Sequence, residues 1–123
     1  MTDSLKISLA QLNPVVGDIE GNVAKIRAAR LAAADSGADL VIGTELCITG
    51  YPPEDLVLKP AFQDAIEAGV NALAAETGDG GPAVLIGAPW RVDGALYNAA
   101  LLLDDGAIAA VRLKTDLPNY GVF

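Results

Sequence analysis

The chain has 123 residues, a net charge of −8, no histidine and a single cysteine, Cys47. Within this chain these counts exclude a Ser-His-Asp or Cys-His catalytic site, an intramolecular disulfide and a zinc site built from several Cys and His ligands. The acidic balance disfavours binding to nucleic acid or to an anionic membrane. With no basic leader and no apolar run of about 18 residues, we expect a cytoplasmic domain with a reduced thiol.

The first part of the chain has the pattern of a strand, a helix and a second strand. Alternating residues in Lys6–Leu12 predict the first strand. Apolar residues at spacings of three and four in Val23–Ala33 predict a helix, which Asp18 or Asn22 can cap. The segment Asp39–Gly43 is apolar at consecutive positions and predicts a buried strand. This succession is typical of a crossover unit.

The second part predicts one helix and three strands. Pro60 can begin a helix that lasts to about Glu76. Three β-rich segments follow, AVLIGAPWRV, ALYNAALLLD and AIAAVRL, separated by Asp93-Gly94 and Asp105-Gly106. Two-residue Asp-Gly connections are a strong hairpin signal. The order β-α-β-α-β-β-β predicts an α/β domain with helices on one face of a mixed sheet.

Two charged residues follow predicted strands and are candidates for chemistry. Glu45 comes shortly after a buried strand, at the edge where open α/β sheets usually hold ligands. We expect partial burial to raise its pKa, which suits a general base. Lys114 ends the last strand, where its ammonium could neutralise an oxyanion. The alternatives are a solvated strand-end glutamate and a lysine whose stem lies along the sheet rim. A carboxylate and an ammonium at adjacent strand ends could flank one substrate.

Cys47 is a weaker candidate, and two tyrosines are candidates for a pocket wall. Cys47 lies between Leu46 and Ile48 with no basic neighbour to lower its pKa, so we expect a buried structural thiol. Tyr51 and Tyr120 stand beside Gly and Pro in predicted loops, where a buried hydroxyl needs a partner.

Four segments carry a resemblance that covers essentially the whole chain: KISLAQLNPVVGDIEGN, ELCITGYPPEDLVL, LYNAALLLDDG and LKTDLPNYGVF. They resemble the glutaminase domain of glutamine-dependent NAD synthetases, a branch of the nitrilase or carbon-nitrogen hydrolase superfamily. The resemblance implies a partial nitrilase-type α-β-β-α sandwich with a mixed sheet. GYPPEDL and LPNYGVF are the motifs most specific to the synthetase branch.

The resemblance also implies roles for individual residues. The family uses a Glu-Lys-Cys triad, which places its glutamate at Glu45 and its lysine at Lys114. Glu45 would be the base that activates the thiol, and Lys114 would stabilise the tetrahedral intermediate of glutamine hydrolysis. Tyr120 and Tyr51 match tyrosines near the glutamine substrate. Such a triad needs no histidine, because the carboxylate takes its role.

The sequence departs from the family pattern in two ways. Thr44 stands where the family commonly has proline before the catalytic glutamate. The family's nucleophilic cysteine lies downstream of LPNYGVF, beyond Phe123, and Cys47 does not match it. We therefore expect residues 1–123 to be the N-terminal part of a glutaminase domain, truncated before the nucleophile and inactive alone.

The resemblance implies partners outside the chain. In the intact enzyme, ammonia from glutamine would pass to a synthetase domain, where ATP and Mg²⁺ support amidation of nicotinic acid adenine dinucleotide to NAD. We expect no cofactor or metal in this chain, and a homo-oligomeric enzyme. Two alternatives stay open: a free-standing nitrilase-superfamily amidase, and a non-catalytic assembly fragment that docks through an uncovered sheet.

Overall fold

The computed structural model describes residues 4–115 and contains the predicted succession of helices and strands. The elements are β1 (Ile7–Leu9), α1 (Ile19–Asp35), β2 (Leu40–Ile42), α2 (Pro60–Glu76), β3 (Ala83–Val92), β4 (Ala95–Asp104) and β5 (Ala107–Leu113). Two short 3₁₀ segments, Glu54–Leu58 and Thr77–Asp79, flank α2 and were not anticipated. The order β-α-β-α-β-β-β is confirmed.

The strands form one mixed sheet in the order β1-β2-β3-β4-β5. The first three strands are parallel, and β3, β4 and β5 pair antiparallel in sequence. Because β4 runs opposite to β3 and β5 runs opposite to β4, β5 points the same way as β2 and β3. The carboxyl ends of these three strands therefore lie at one edge of the sheet.

Both hairpins use the predicted Asp-Gly turns. The φ angles are 51° at Asp93 and 81° at Gly94, and 53° at Asp105 and 82° at Gly106. Positive φ at both central residues is the type I′ pattern, whose twist matches that of paired strands. These turns set the long β3–β4 register and the β4–β5 pairing, which carries a bulge at Leu102/Leu103.

The helix starts also follow from the sequence. Asp18 caps α1, because its side chain accepts a hydrogen bond from Gly21 N at 3.0 Å. Asn22, the other candidate cap, lies inside α1 and is buried. Pro60 is the first residue of α2, where its missing N–H leaves no helical bond unmade.

Both helices pack on the same face of the sheet, as predicted. The main core joins Ile26 of α1 and Val70 of α2 to Ile86 of β3 and Leu101 of β4. On the opposite face, the register aligns a row of apolar side chains that are half-buried or exposed: Ile7, Leu9, Leu40, Ile42, Leu85 and Leu102. This open face carries the residues of the candidate site.

Candidate active site

Glu45 belongs to a loop that leaves β2 and crosses β3 directly on the open face. The crossing point is Gly87, where an added Cβ would lie 2.4 Å from Leu46 N and 2.9 Å from Thr44 O. Ile48 N donates to Gly87 O at 3.2 Å, which holds the loop on the strand. A side chain at position 87 would occupy the space of the loop backbone, so the crossing requires glycine.

The same loop is anchored on its other side by α1. The side chain of Asn22 donates to Ile48 O at 3.0 Å and to Val15 O at 2.8 Å. Leu46, Cys47 and Ile48 are all buried in the chain. Glu45 thus precedes a firmly packed segment, although its own side chain is about half exposed.

Lys114 follows β5 and continues its pairing with β4. Its backbone N–H donates to Asn98 O at 2.9 Å, one position beyond the Ala99–Leu113 pair. The ends of β2 and β5 share an edge, but β3 and β4 lie between them. The expectation of adjacent strand ends is therefore wrong. Glu45 reaches Lys114 because the loop after β2 passes over β3.

Three side chains meet beside the point where the loop lies over Gly87. Glu45 Oε1 accepts a hydrogen bond from Lys114 Nζ at 2.9 Å and one from Asn98 Nδ2 at 3.0 Å. Asn98 lies on β4 and is buried, with 6% of its surface exposed. The carboxylate thus receives one charged and one neutral donor on the same oxygen.

This arrangement lowers the pKa of Glu45. The hydrogen bond from Lys114 is the main cause, partial burial opposes it, and the hydrogen bond from Asn98 and the charge of Lys114 add to it. The expectation of a raised pKa is wrong, because the paired donors outweigh burial of a half-exposed group. Glu45 is therefore an ionised carboxylate at neutral pH, able to accept a proton.

The three residues line a cleft of about 370 Å³. Its walls come from the end of β2, the middle of β3 and β4 and the end of β5, and include Ile42, Leu85, Ala100 and Arg112. The charged residues among its described lining are Glu45, Arg112 and Lys114. The cleft opens on the face away from the helices, so a ligand could approach Glu45 across the sheet.

Cys47 is placed as a structural residue. It is 2% exposed, and its Sγ lies 3.8 Å from Gly87 O. Burial raises the pKa of this thiol, which disfavours the thiolate form needed for attack.

Within residues 4–115, no group of three or more His, Cys, Asp or Glu side chains could hold a metal ion. No helix in that part of the chain is long and apolar enough to span a membrane.

The two tyrosines are not tested by this geometry. Tyr51 is 66% exposed and is not among the described residues that line the cleft. Tyr120 lies outside the described residues. Their contact with substrate stays a prediction.

Asn98 and Gly87 were missed in the sequence analysis. The signal for Asn98 is a lone amide inside the apolar segment ALYNAALLLD, since buried polar groups in strands need a partner. The signal for Gly87 is a glycine inside a strand, which often marks the close approach of another backbone.

The carbon-nitrogen hydrolase family model matches residues 6–122. The match spans nearly the whole chain and both Glu45 and Lys114. The chain therefore belongs to the carbon-nitrogen hydrolase family, and its expected nitrilase-type fold is confirmed.

Within that family, the chain is similar to glutamine-dependent NAD(+) synthetases. It is 48% identical to the synthetase of Rhodobacter capsulatus over 123 residues, which is 100% of this chain and 22% of the relative. It is 44% identical to that of Thermotoga maritima over 119 residues, or 97% of this chain and 20% of the relative. The chain thus spans about a fifth of the length of these relatives.

Solved structures agree on the fold. The glutamine-dependent NAD+ synthetase of Acinetobacter baumannii in complex with adenosine diphosphate superimposes with a TM-score of 0.87 at 34% identity. That match covers 97% of this chain and 22% of the other. An amidase from Nesterenkonia sp. gives a TM-score of 0.79 at 24% identity, covering 94% of this chain and 44% of the amidase, which supports the shared fold alone.

Proposed function

We propose that this chain is the N-terminal part of the glutaminase domain of a glutamine-dependent NAD synthetase. The intact protein hydrolyses glutamine and uses the ammonia for ATP-dependent amidation of nicotinic acid adenine dinucleotide. The observation that carries the proposal is the Glu45–Lys114 pair at the cleft, in a chain 48% identical along its length to one such synthetase. Cytoplasmic location and homo-oligomeric assembly belong to the same proposal.

Glu45 acts as the general base in this proposal. Its ionised carboxylate takes the proton of a cysteine thiol that lies beyond this chain, and the thiolate attacks the side-chain carbonyl carbon of glutamine. The C–N bond then breaks, and the nitrogen leaves as ammonia with the proton that Glu45 returns. Water, deprotonated by Glu45, cleaves the thioester to glutamate and restores the thiol.

Lys114 stabilises the charge that develops during these steps. The attack places a negative charge on the carbonyl oxygen, and an ammonium beside this oxygen lowers the barrier. An ammonium has three donors, so Lys114 can hold Glu45 Oε1 and still donate to this oxygen. Tyr51 and Tyr120 would contact glutamine, and ATP and Mg²⁺ would act in the synthetase domain outside this chain.

The experiment compares the full-length protein with its Glu45→Gln variant and with the isolated 123-residue chain. We expect ammonia release from glutamine and glutamine-dependent NAD formation by the full-length protein only. Glu45→Gln should lower glutaminase turnover by about 10²- to 10⁴-fold, the range for a lost general base. Lys114-dependent ammonia release by the isolated chain would contradict the assignment of the nucleophile to a later segment.

A free-standing amidase is the second candidate, because the family model that matches residues 6–122 is the general carbon-nitrogen hydrolase model. The same assay separates the two functions. Hydrolysis of simple amides without glutamine-dependent NAD formation would favour the amidase. A purified 123-residue chain that forms defined assemblies would favour the assembly fragment.

A further inference from the structure

Asn98 is a buried amide in a strand that is otherwise mostly apolar. An amide buried without a hydrogen-bond partner destabilises the folded chain. Within residues 4–115, the Asn98 amide meets that demand through Glu45, since its Nδ2 donates to Glu45 Oε1 at 3.0 Å. Among the described residues, the hydrogen-bond partner of the Asn98 amide is therefore the Glu45 carboxylate itself.

Asn98 also contacts the second charged residue of the site. The backbone carbonyl oxygen of Asn98 accepts a hydrogen bond from the backbone N–H of Lys114 at 2.9 Å. The two residues therefore face each other across the β4–β5 ladder. Paired residues of an antiparallel ladder place their side chains on the same face. Both side chains therefore donate to Glu45 from the open face of the sheet.

The two donors differ in how firmly they can hold the carboxylate. Lys114 has a flexible four-carbon stem, and its side chain is 49% exposed. Asn98 is short and buried, and its backbone belongs to a paired strand. Asn98 is thus the more rigidly placed of the two donors.

We propose that Asn98 is a positioning residue that fixes the orientation of the Glu45 carboxylate, so that Oε2 is the oxygen that exchanges a proton with the nucleophile. The inference rests on the proposed function and deepens it. Asn98 donates to Oε1, as Lys114 does, which directs the proton transfer to the other oxygen. A neutral donor suits this position because it adds no second charge.

The inference predicts a change in the pH profile. The Asn98 hydrogen bond lowers the pKa of Glu45, so its removal should raise that pKa. Activity that needs ionised Glu45 would then be lost at a higher pH as the solution is acidified. Among the described residues of the cleft, only Arg112 and Lys114 add charge near Glu45, and β2, β3 and β4 contribute no titratable group.

The test uses the full-length protein with Asn98→Leu, which keeps the branched shape of the side chain and removes the donor. We expect glutaminase kcat to fall by about 10- to 100-fold with KM for glutamine changed by less than about 3-fold, as for a group that acts in the transition state. The acid limb of kcat should move to higher pH. Asn98→Asp, of nearly the same size, serves if Asn98→Leu does not fold, because a second carboxylate also raises the pKa of Glu45.

Thr77→Val is the matched control. Thr77 is buried, and its hydroxyl donates to Ala74 O and accepts from Gly106 N at the opposite end of β5 from Lys114. This variant should lower the melting temperature and leave the acid limb unchanged. An active wild-type protein whose Asn98 variants keep kcat and the acid limb would overturn the positioning role alone. No glutaminase activity in the wild-type protein would overturn the proposed function, and this inference with it.

Discussion

Gly87→Ala should displace Glu45 without altering any charged group. Gly87 has no positive φ, so alanine can adopt its backbone conformation and the only obstacle is space. The new Cβ would lie 2.4 Å from Leu46 N and 3.1 Å from Glu45 C. Ordinary contacts between such atoms are about 3.5 Å, so the loop must move by about 1 Å.

A displacement of this size predicts a defined loss. A misplacement of about 1 Å can lower the rate by about 100-fold, and we expect that fall in glutaminase kcat/KM of the full-length protein. Overpacking of this kind typically destabilises by about 1 to 3 kcal/mol, which thermal unfolding would register. The loss of activity should exceed what the unfolded fraction explains at the assay temperature.

Gly78→Ala is the matched control for this substitution. Gly78 also has no positive φ, and a Cβ there would make an ordinary contact of 3.4 Å with Gly106 Cα. We expect near wild-type activity and stability from it. A Gly87→Ala protein with wild-type kcat/KM and melting temperature would refute the claim that the loop crosses β3 without room for a side chain.

Two further predictions concern Cys47 and Asp79. Cys47→Ala should keep glutaminase activity of the full-length protein within about 3-fold, because a buried thiol with a raised pKa is not the nucleophile; abolished turnover in a folded variant would contradict this. Hydrogen bonds from Arg30 and Gly81 N lower the pKa of Asp79 to about 2. This stabilisation is present above the ordinary Asp pKa of about 3.9 and is lost as the pH falls toward 2, so Asp79→Asn should weaken the pH dependence of unfolding in that window. An unchanged dependence would show that the Arg30–Asp79 pair does not persist in solution.

The sequence predicts the order of elements and the edge of the site because these depend on local signals. Asp-Gly turns define the hairpins, and apolar periodicity defines α1 and α2. Glu45 and Lys114 could be identified as candidates because each follows a predicted strand. Their strands, β2 and β5, run in the same direction, so both end at the same edge of the sheet.

The contacts within the site depend on information that local patterns lack. Glu45 meets Lys114 only because its loop crosses β3 at Gly87, and no spacing rule gives the path of a loop. Asn98 enters the site through the β4–β5 register, which depends on pairing along the whole hairpin. The lowered pKa of Glu45 follows from these two contacts, so burial alone predicted the wrong direction.

The most direct test of the central claim is glutamine-dependent NAD formation by the full-length protein, measured beside its Glu45→Gln variant with both proteins confirmed as folded. The account predicts that the wild-type protein releases ammonia from glutamine and forms NAD, and that Glu45→Gln loses glutamine hydrolysis by at least about 100-fold. A folded Glu45→Gln protein that hydrolyses glutamine at the wild-type rate would contradict the account.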